Sequence, residues 1–327
     1  MKRDLLEILR CPVCGGSLRD QAEGTSTGEL TEGLLICESC AAAYPIRDGI
    51  PRFVAEAAYT DAFSLQWNTF RVEQLDSFNG TDISAGRVFT ETGLSPTALN
   101  GQLILDVGCG AGRFVDAIAK HDCRVVGVDM SGAVDAARIN LSGYDNVELV
   151  QADLFHLPFK PGSFDICYCI GVIQHTPDPR RAIRALPPVL KPDGLMALTM
   201  YARRPWMGIT PKYLLRHLTT RVPQSVLLRA VRMVMPIAFP VTEVLFRIPV
   251  LGRLFRFLIP IANYVGEKRL TMRQRYRWAV LDTFDMLAPA WDLPLTEQEV
   301  IGQLESAGVD QIRPMFGGGL NLVGVKS

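Results

Sequence analysis

The chain of 327 residues lacks a net charge, because its 34 Lys and Arg balance its 34 Asp and Glu. A molecule neutral overall is no generic binder of polyanions, although a local excess of one sign can still steer a partner. The first ten residues, MKRDLLEILR, hold no long apolar core, so no secretory signal is expected and the chain is assigned to the cytoplasm. In that compartment the eight cysteines are thiols or metal ligands rather than disulfides. There is no internal repeat and no second glycine cradle. With 48% hydrophobic and 21% charged residues, the composition is that of a folded chain, long enough for one large core with small attachments.

What is present centres on residues 103–114, LILDVGCGAGRF. Leu103, Ile104 and Leu105 form an apolar run suited to a strand covered on both faces. Gly108, Gly110 and Gly112 allow tight torsions and close ligand approach, and residues 113–120 continue at helical spacing. Free backbone N–H groups are expected beside a ligand there. The fingerprint is G-x-G-x-G, because Arg113 stands where a dinucleotide-binding motif needs its third glycine, which weakens a nicotinamide reading.

Further strand ends follow in order. Residues 124–129, RVVGVD, end in Asp129, with Ser131 as a helix cap; an acid there can accept both ribose hydroxyls. A third strand, residues 147–152, leads into Asp153 and Leu154. The fourth, residues 164–170, runs into GVIQHTPDP with His175 just beyond. A helix is expected from Asp178 to the KPDG of residues 191–194, and GLMALTMYA supplies the fifth strand.

Preceded by Asp106 and followed by these strand ends, the glycine turn resembles motif I of the class I S-adenosylmethionine-dependent methyltransferases, of the methyltransferase type 11 kind. The resemblance spans about residues 60–202 and resumes near the C-terminus. It implies an α/β, doubly wound, mostly parallel seven-stranded sheet of the Rossmann-like methyltransferase fold, with the last strand antiparallel. It implies S-adenosylmethionine as cofactor. Asp106, Gly108, Cys109, Gly110 and Gly112 would take its methionine portion, and Asp129 and Met130 its ribose. Asp153 and Leu154, with Phe155 behind them, would take the adenine, and Cys169 and Ile170 would lie beside the methyl group. His175 is either a proton acceptor or a holder of substrate. Trp67, Phe70 and Arg87 either touch the cofactor or pack onto the sheet.

Two C-x2-C pairs, Cys11 with Cys14 and Cys37 with Cys40, are separated by a spacer of 22 residues. Such pairs can deliver four thiolates to one tetrahedral zinc; the plainer reading is four unliganded thiols. The run AAAYPIRDGIPRF, residues 41–53, resembles the zinc-ribbon-like domains that precede the catalytic domain in many bacterial methyltransferases. This implies a structural or docking domain over residues 1–56, followed by a methyltransferase domain over 57–327. Cys109, Cys123, Cys167 and Cys169 read as thiols buried in sheet or turn.

Residues 203–270 leave the common fold. They carry 12 Lys and Arg against Glu243 and Glu267 alone, a local balance of +10. The uncharged run over residues 233–242 is too short for a spanning helix of about 20 residues, and Pro236 and Pro240 are expected to interrupt it. Arginines set among leucine, phenylalanine and isoleucine suit an interfacial helix or a helical lid. Beyond, Tyr276, Asp282, Asp285 and Trp291 precede a helix capped by Thr296 with Glu299, and Asp282 or Asp285 either orients an acceptor hydroxyl or makes structural contacts. The expected activity is methyl transfer to a small or lipid-linked acceptor, with peripheral contact at the inner face of the membrane. Two other functions stay open: RNA methylation with the zinc domain and basic insert gripping RNA, and a non-catalytic cofactor-binding scaffold.

Overall fold

The computed structural model describes residues 1–24, 29–54 and 61–327. The boundary expected between residues 56 and 57, and the first residues of the segment after it, lie outside the described residues. Strands β1 (Leu18–Gly24), β2 (Leu30–Cys37), β3 (Ala43–Arg47) and β4 (Ile50–Pro51) form a small antiparallel sheet in chain order. Strands β5 (Leu103–Val107), β6 (Arg124–Asp129), β7 (Val147–Gln151), β8 (Phe164–Ile170), β9 (Leu190–Met200), β10 (Val309–Pro314) and β11 (Leu320–Lys326) form the large sheet. Its order is β10-β11-β9-β8-β5-β6-β7. The pairs from β9 to β7 are parallel, and β11 runs antiparallel to both β9 and β10. This is the expected seven-stranded methyltransferase sheet.

The strands are apolar on both faces because both faces are covered. On β8, Cys167 and Cys169 belong to one core cluster while Ile166, Tyr168 and Ile170 belong to the other, as the two-residue pleat requires. Helices α4 (Ile83–Thr92), α5 (Arg113–Ile118) and α6 (Ala133–Asn140) cover the second face, and α7 (Pro179–Ala185) and α12 (Glu297–Ser306) the first. Helix α7 ends six residues before the KPDG segment, because Pro187 and Pro188 cannot continue it. Residues 191–194 belong instead to β9.

The small sheet shares the first core. Leu5 of α1 (Arg3–Ile8), Leu9, Leu35 and Ile46 lie in one cluster with Val128, Val150 and Phe159. Backbone bonds join the two parts: Arg10 N–H donates to Pro158 O at 2.9 Å, Lys160 to Ile8 O at 2.7 Å and Phe53 to Gln151 O at 2.8 Å. Arg52 bridges Gln151 in parallel register, so the small domain covers the edge strand β7.

Residues before β5 fold as α2 (Asp61–Thr69), α3 (Asp76–Asn79) and α4. The basic segment forms α8 (Pro211–Thr219), α9 (Gln224–Leu245) and α10 (Leu251–Leu258); α8 and α9 meet α11 (Met272–Leu287), and α10 meets α9. Helix α9 runs unbroken through Pro236 and Pro240 for 22 residues, contrary to the interruption expected. Both prolines are exposed, where a missing N–H leaves its carbonyl partner to water. By length and composition alone, α9 is therefore able to cross a membrane, and 33% of its most apolar window is buried.

Candidate cofactor and acceptor site

The chain order reverses between β5 and β8, since β6 and β7 lie to one side and β8 and β9 to the other. Ligands of doubly wound sheets bind at the carboxyl ends of strands at such a point. A cavity of about 620 Å³ lies there.

The floor of the cavity is built by tight turns. Gly108, Gly110 and Gly112 take φ of 82°, 53° and 90°, left-handed values that cost other residues about 1–2 kcal/mol. The loop amides are not free as expected. Gly108 and Cys109 both donate to Val128 O, at 2.7 and 3.0 Å, and Gly112 donates to Cys109 O at 2.9 Å. Gly110 donates to Asp129 Oδ2 at 2.9 Å. The turn's contribution is thus a surface without side chains: a Cβ on Gly108 would sit 2.3 Å from Val172 Cγ2, and one on Gly110 would sit 3.1 Å from Trp67 Nε1.

Gly108, Cys109, Gly110, Asp129, Met130, Asp153, Leu154, Ile170 and His175 all line the cavity. Asp129 Oδ1 also accepts from Ser131 N and Oγ, at 2.8 and 2.6 Å. With Gly110 and the Met130 backbone as further partners, most of the carboxylate's accepting capacity is used within the chain. Asp153 Oδ1 caps a short turn through Phe155 N at 2.9 Å. Three expected residues are placed otherwise. Asp106 lies beneath the loop, where its Oδ2 accepts from the Tyr168 hydroxyl at 3.0 Å and burial pushes its carboxyl up to about 8. Gly112 packs against Leu141. Cys169 is fully buried on the far face of β8, one residue short of Ile170, because successive side chains point to opposite faces.

The roof is made of side chains from helices α2, α4, α8 and α11, together with Gln74 from the turn before α3 and Tyr201 just after β9. Trp67 and Arg87 reach the cavity, whereas Phe70 packs into the cluster of α9 and α11. Gln74 Nε2 donates to Asp282 Oδ1 at 3.2 Å, and Gln66 Nε2 donates to Asp285 Oδ1 at 3.0 Å. Gln66 Oε1 is buried with no partner among the described residues. Burial pushes Asp282 up to about 7, with neighbouring Asp285 adding to the rise and Arg113 and Arg87 opposing it. Arg113, the residue in place of a third glycine, is held by Ser84 Oγ at 2.9 Å and Gln74 Oε1 at 2.8 Å, and lies 5.4 Å from the Trp278 ring. Lys212 sits 4.7 Å over the Tyr201 ring and 2.5 Å from Asp292 Oδ2.

His175 stands between floor and roof, with Phe63 and Tyr201 ring centroids at 5.6 and 5.8 Å. Its Nδ1 is 3.0 Å from Trp291 O. A carbonyl only accepts, so Nδ1 carries a proton, and in the neutral ring Nε2 is then the nitrogen with the lone pair.

In the small domain, the sulfurs of Cys11, Cys14, Cys37 and Cys40 lie within 4.8 Å of one another. The Cys11–Cys40 and Cys14–Cys37 separations are 3.7 and 3.5 Å, close to the roughly 3.8 Å edge of a tetrahedron with Zn–S of about 2.3 Å. The group could hold zinc, with the Tyr44 hydroxyl 3.0 Å from Cys11 Sγ as support.

Residues 105–198 match the family model described as "Methyltransferase domain", and residues 2–49 match "Trm112p-like protein". The chain carries a class I methyltransferase domain behind a zinc-ribbon-like one. Its methyltransferase domain is similar to the "Ubiquinone biosynthesis O-methyltransferase" of Albidiferax ferrireducens, with 34% identity over 122 residues, 34% of this chain and 45% of that one. The protein of the same description from Coxiella burnetii is 38% identical over 98 residues, 29% of this chain and 42% of that one. The chain spans less than half the length of these curated relatives. A solved SAM-dependent methyltransferase of Aquifex aeolicus shares 16% identity at a TM-score of 0.40, over 83% of this chain and 98% of that one.

The cavity of the methyltransferase domain fits S-adenosylmethionine. Side-chain-free backbone at Gly108 and Gly110, an acid at the end of β6, and open space beside Gly171 suit a ligand laid across the strand ends. Gln66, Gln74, Tyr201, Lys212 and Trp278 are lining residues that sequence reasoning missed. They come from five separated segments, and no spacing signal links them.

Proposed function

We propose that this protein is an S-adenosylmethionine-dependent methyltransferase acting on a small or lipid-linked acceptor that bears a hydroxyl group. The observation that carries it is one cavity lined by both the Gly110–Asp129 floor and the His175, Asp282 and Asp285 side chains. The relatives' description as O-methyltransferases of ubiquinone biosynthesis supports a hydroxyl acceptor with an apolar body.

Bound on that floor, S-adenosylmethionine supplies a methyl group already activated on a sulfonium. The chain's own work is alignment and exclusion of water. Trp67, Trp278 and Tyr201 wall the cavity with apolar surface. His175 Nε2 is the group able to take the acceptor's hydroxyl proton as its oxygen is methylated, and the carboxyls of Asp282 and Asp285 orient that hydroxyl. Four thiolates around zinc leave no open position, so the metal's part is structural. Zinc-spaced and core thiols suit a reducing cytoplasm, and we place the protein there, peripheral at the inner face of the membrane. A basic insert that exposes apolar side chains favours this acceptor class over an RNA phosphate track.

Calorimetry tests the cofactor. The wild-type chain is expected to bind S-adenosylmethionine and Asp129→Ala to bind about tenfold to a hundredfold more weakly, as loss of charged hydrogen bonds predicts. Absence of binding, or binding indifferent to Asp129→Ala, would falsify the assignment. Labelled methyl transfer to fractionated extract then tests the acceptor: label confined to the RNA pool overturns the proposed class.

A further inference from the structure

We infer that the outer face of α8, α9 and α10 is a docking surface for an anionic lipid bilayer, lying in the plane of the interface. Among the described residues, 25 large hydrophobic side chains are exposed, and 16 of them fall within residues 203–270. A soluble chain exposes single apolar residues routinely, but such clustering marks an interaction site. On α9, Leu227, Leu228, Val231, Met235 and Phe239 face α11 in a common core. A second stripe, Val226, Met233, Ile237, Val241 and Val244, faces outward, with Met233 78% and Ile237 72% exposed. At about 100° per residue these five occupy one arc of the helix, and Arg229 lies at its border. The corner before α10 carries Val250, 85% exposed, followed by Leu251, Leu254 and Leu258 on the same short helix.

Charge identifies the occupant. Glu243 is already engaged by Arg247 and Arg275, and Glu267 by Arg269. Arg221, Arg229 and Arg253 are exposed and have no carboxylate partner within 4.0 Å among the described residues. Apolar residues bordered by unmatched arginines suit acyl chains below a layer of negative headgroups. A second copy of this chain would instead bring its own +10 segment against the same face. A spanning role for α9 would require its inner stripe to leave the α11 core. The surface deepens the proposed function, because the same segment supplies Lys212, Ala262 and Tyr264 to the cavity and would set its mouth at a lipid-linked acceptor.

Flotation of the full chain with vesicles tests the inference. Binding to vesicles of phosphatidylcholine with phosphatidylglycerol is expected, with weaker binding to phosphatidylcholine alone and loss as salt rises. Met233→Glu with Ile237→Glu should reduce the bound fraction at least about tenfold, and Arg229→Ala or Arg253→Ala about fivefold each. These exposed substitutions should leave calorimetric S-adenosylmethionine affinity within about twofold, so failure on vesicles is distinguishable from failure of the methyltransferase assignment. No binding to either vesicle overturns the inference. So does resistance of the bound protein to alkaline extraction, which marks a spanning helix. A concentration-dependent dimer that Met233→Glu with Ile237→Glu dissolves also overturns it, since the face then joins two copies.

Discussion

Floor residues reach the cavity from backbone turns at the ends of parallel strands, whereas roof residues reach it as long side chains from α2, α4, α8 and α11. The floor rests on two large cores, one of them continuous with the zinc-ribbon-like domain. Of the roof helices, α4 packs on the sheet's second core, whereas α2 and α11 rest with α9 and Phe70 on a separate cluster. This difference separates two tasks. Short turns on a rigid sheet fix one ligand's position with little freedom, while helices on their own core can present a different acceptor pocket without disturbing the sheet.

Removing zinc should break this comparison most forcefully if it is wrong. In zinc-finger peptides a structural zinc contributes on the order of 10–16 kcal/mol, and here its domain seals β7 through Phe53 N to Gln151 O. Chelation is expected to release amides of β2, β3 and β7 to hydrogen exchange and lower the main thermal transition. Amides of α11 should keep their protection longest. If β7 stays protected after chelation, the shared core is not cooperative and the floor stands alone.

The difference between floor and roof also explains what the sequence revealed. Each floor feature is local: a glycine turn after an apolar run, then Asp129 and Asp153 at the ends of successive strands. Hydrophobic period and turn chemistry suffice to find such features. What that route misses is the pleat, which turns Cys169 away while Ile170 faces the cavity, and the internal use of the loop amides. The roof depends on contacts between distant segments, as between Gln74 and Asp282, 208 positions apart. Asp282 and Asp285 were visible as candidates because they cluster with Tyr276 and Trp291 ahead of the helix capped by Thr296; Tyr201 and Lys212 had no such signal. The continuity of α9 was hidden by its prolines, whose effect depends on which side of the helix they occupy.

A smaller effect is expected at Gly108. Alanine there keeps the chemistry but adds a Cβ 2.3 Å from Val172 Cγ2 at a φ of 82°. Torsional strain of about 1–2 kcal/mol, with displacement of Val172, should weaken S-adenosylmethionine binding about tenfold or more. Gly86→Ala in α4 is the control: nothing lies within 4 Å of its added Cβ, so stability should hold or rise by up to about 1 kcal/mol. Equal losses in both variants would show that the floor's glycines are not special.

The smallest effect sharpens the roof. Asp282 has an ordinary carboxyl value near 4 when unfolded and is pushed up to about 7 by burial and neighbouring Asp285. Between those values the folded chain holds more protons than the unfolded one, so this group's contribution to stability falls as pH rises from about 4 to about 7 and then levels off. Asp282→Asn cannot ionise, and asparagine can still bond to Gln74. The variant should therefore be more stable than wild type near pH 8, by on the order of 1–3 kcal/mol, and the two should converge near pH 4. Urea unfolding at both pH values reads the difference. Methyl transfer should fall in the same variant through a raised KM for the acceptor, with S-adenosylmethionine affinity kept, because Asp282 belongs to the roof. A fall in S-adenosylmethionine affinity as large as that of Asp129→Ala would mean that the roof takes part in holding the cofactor as well as the acceptor.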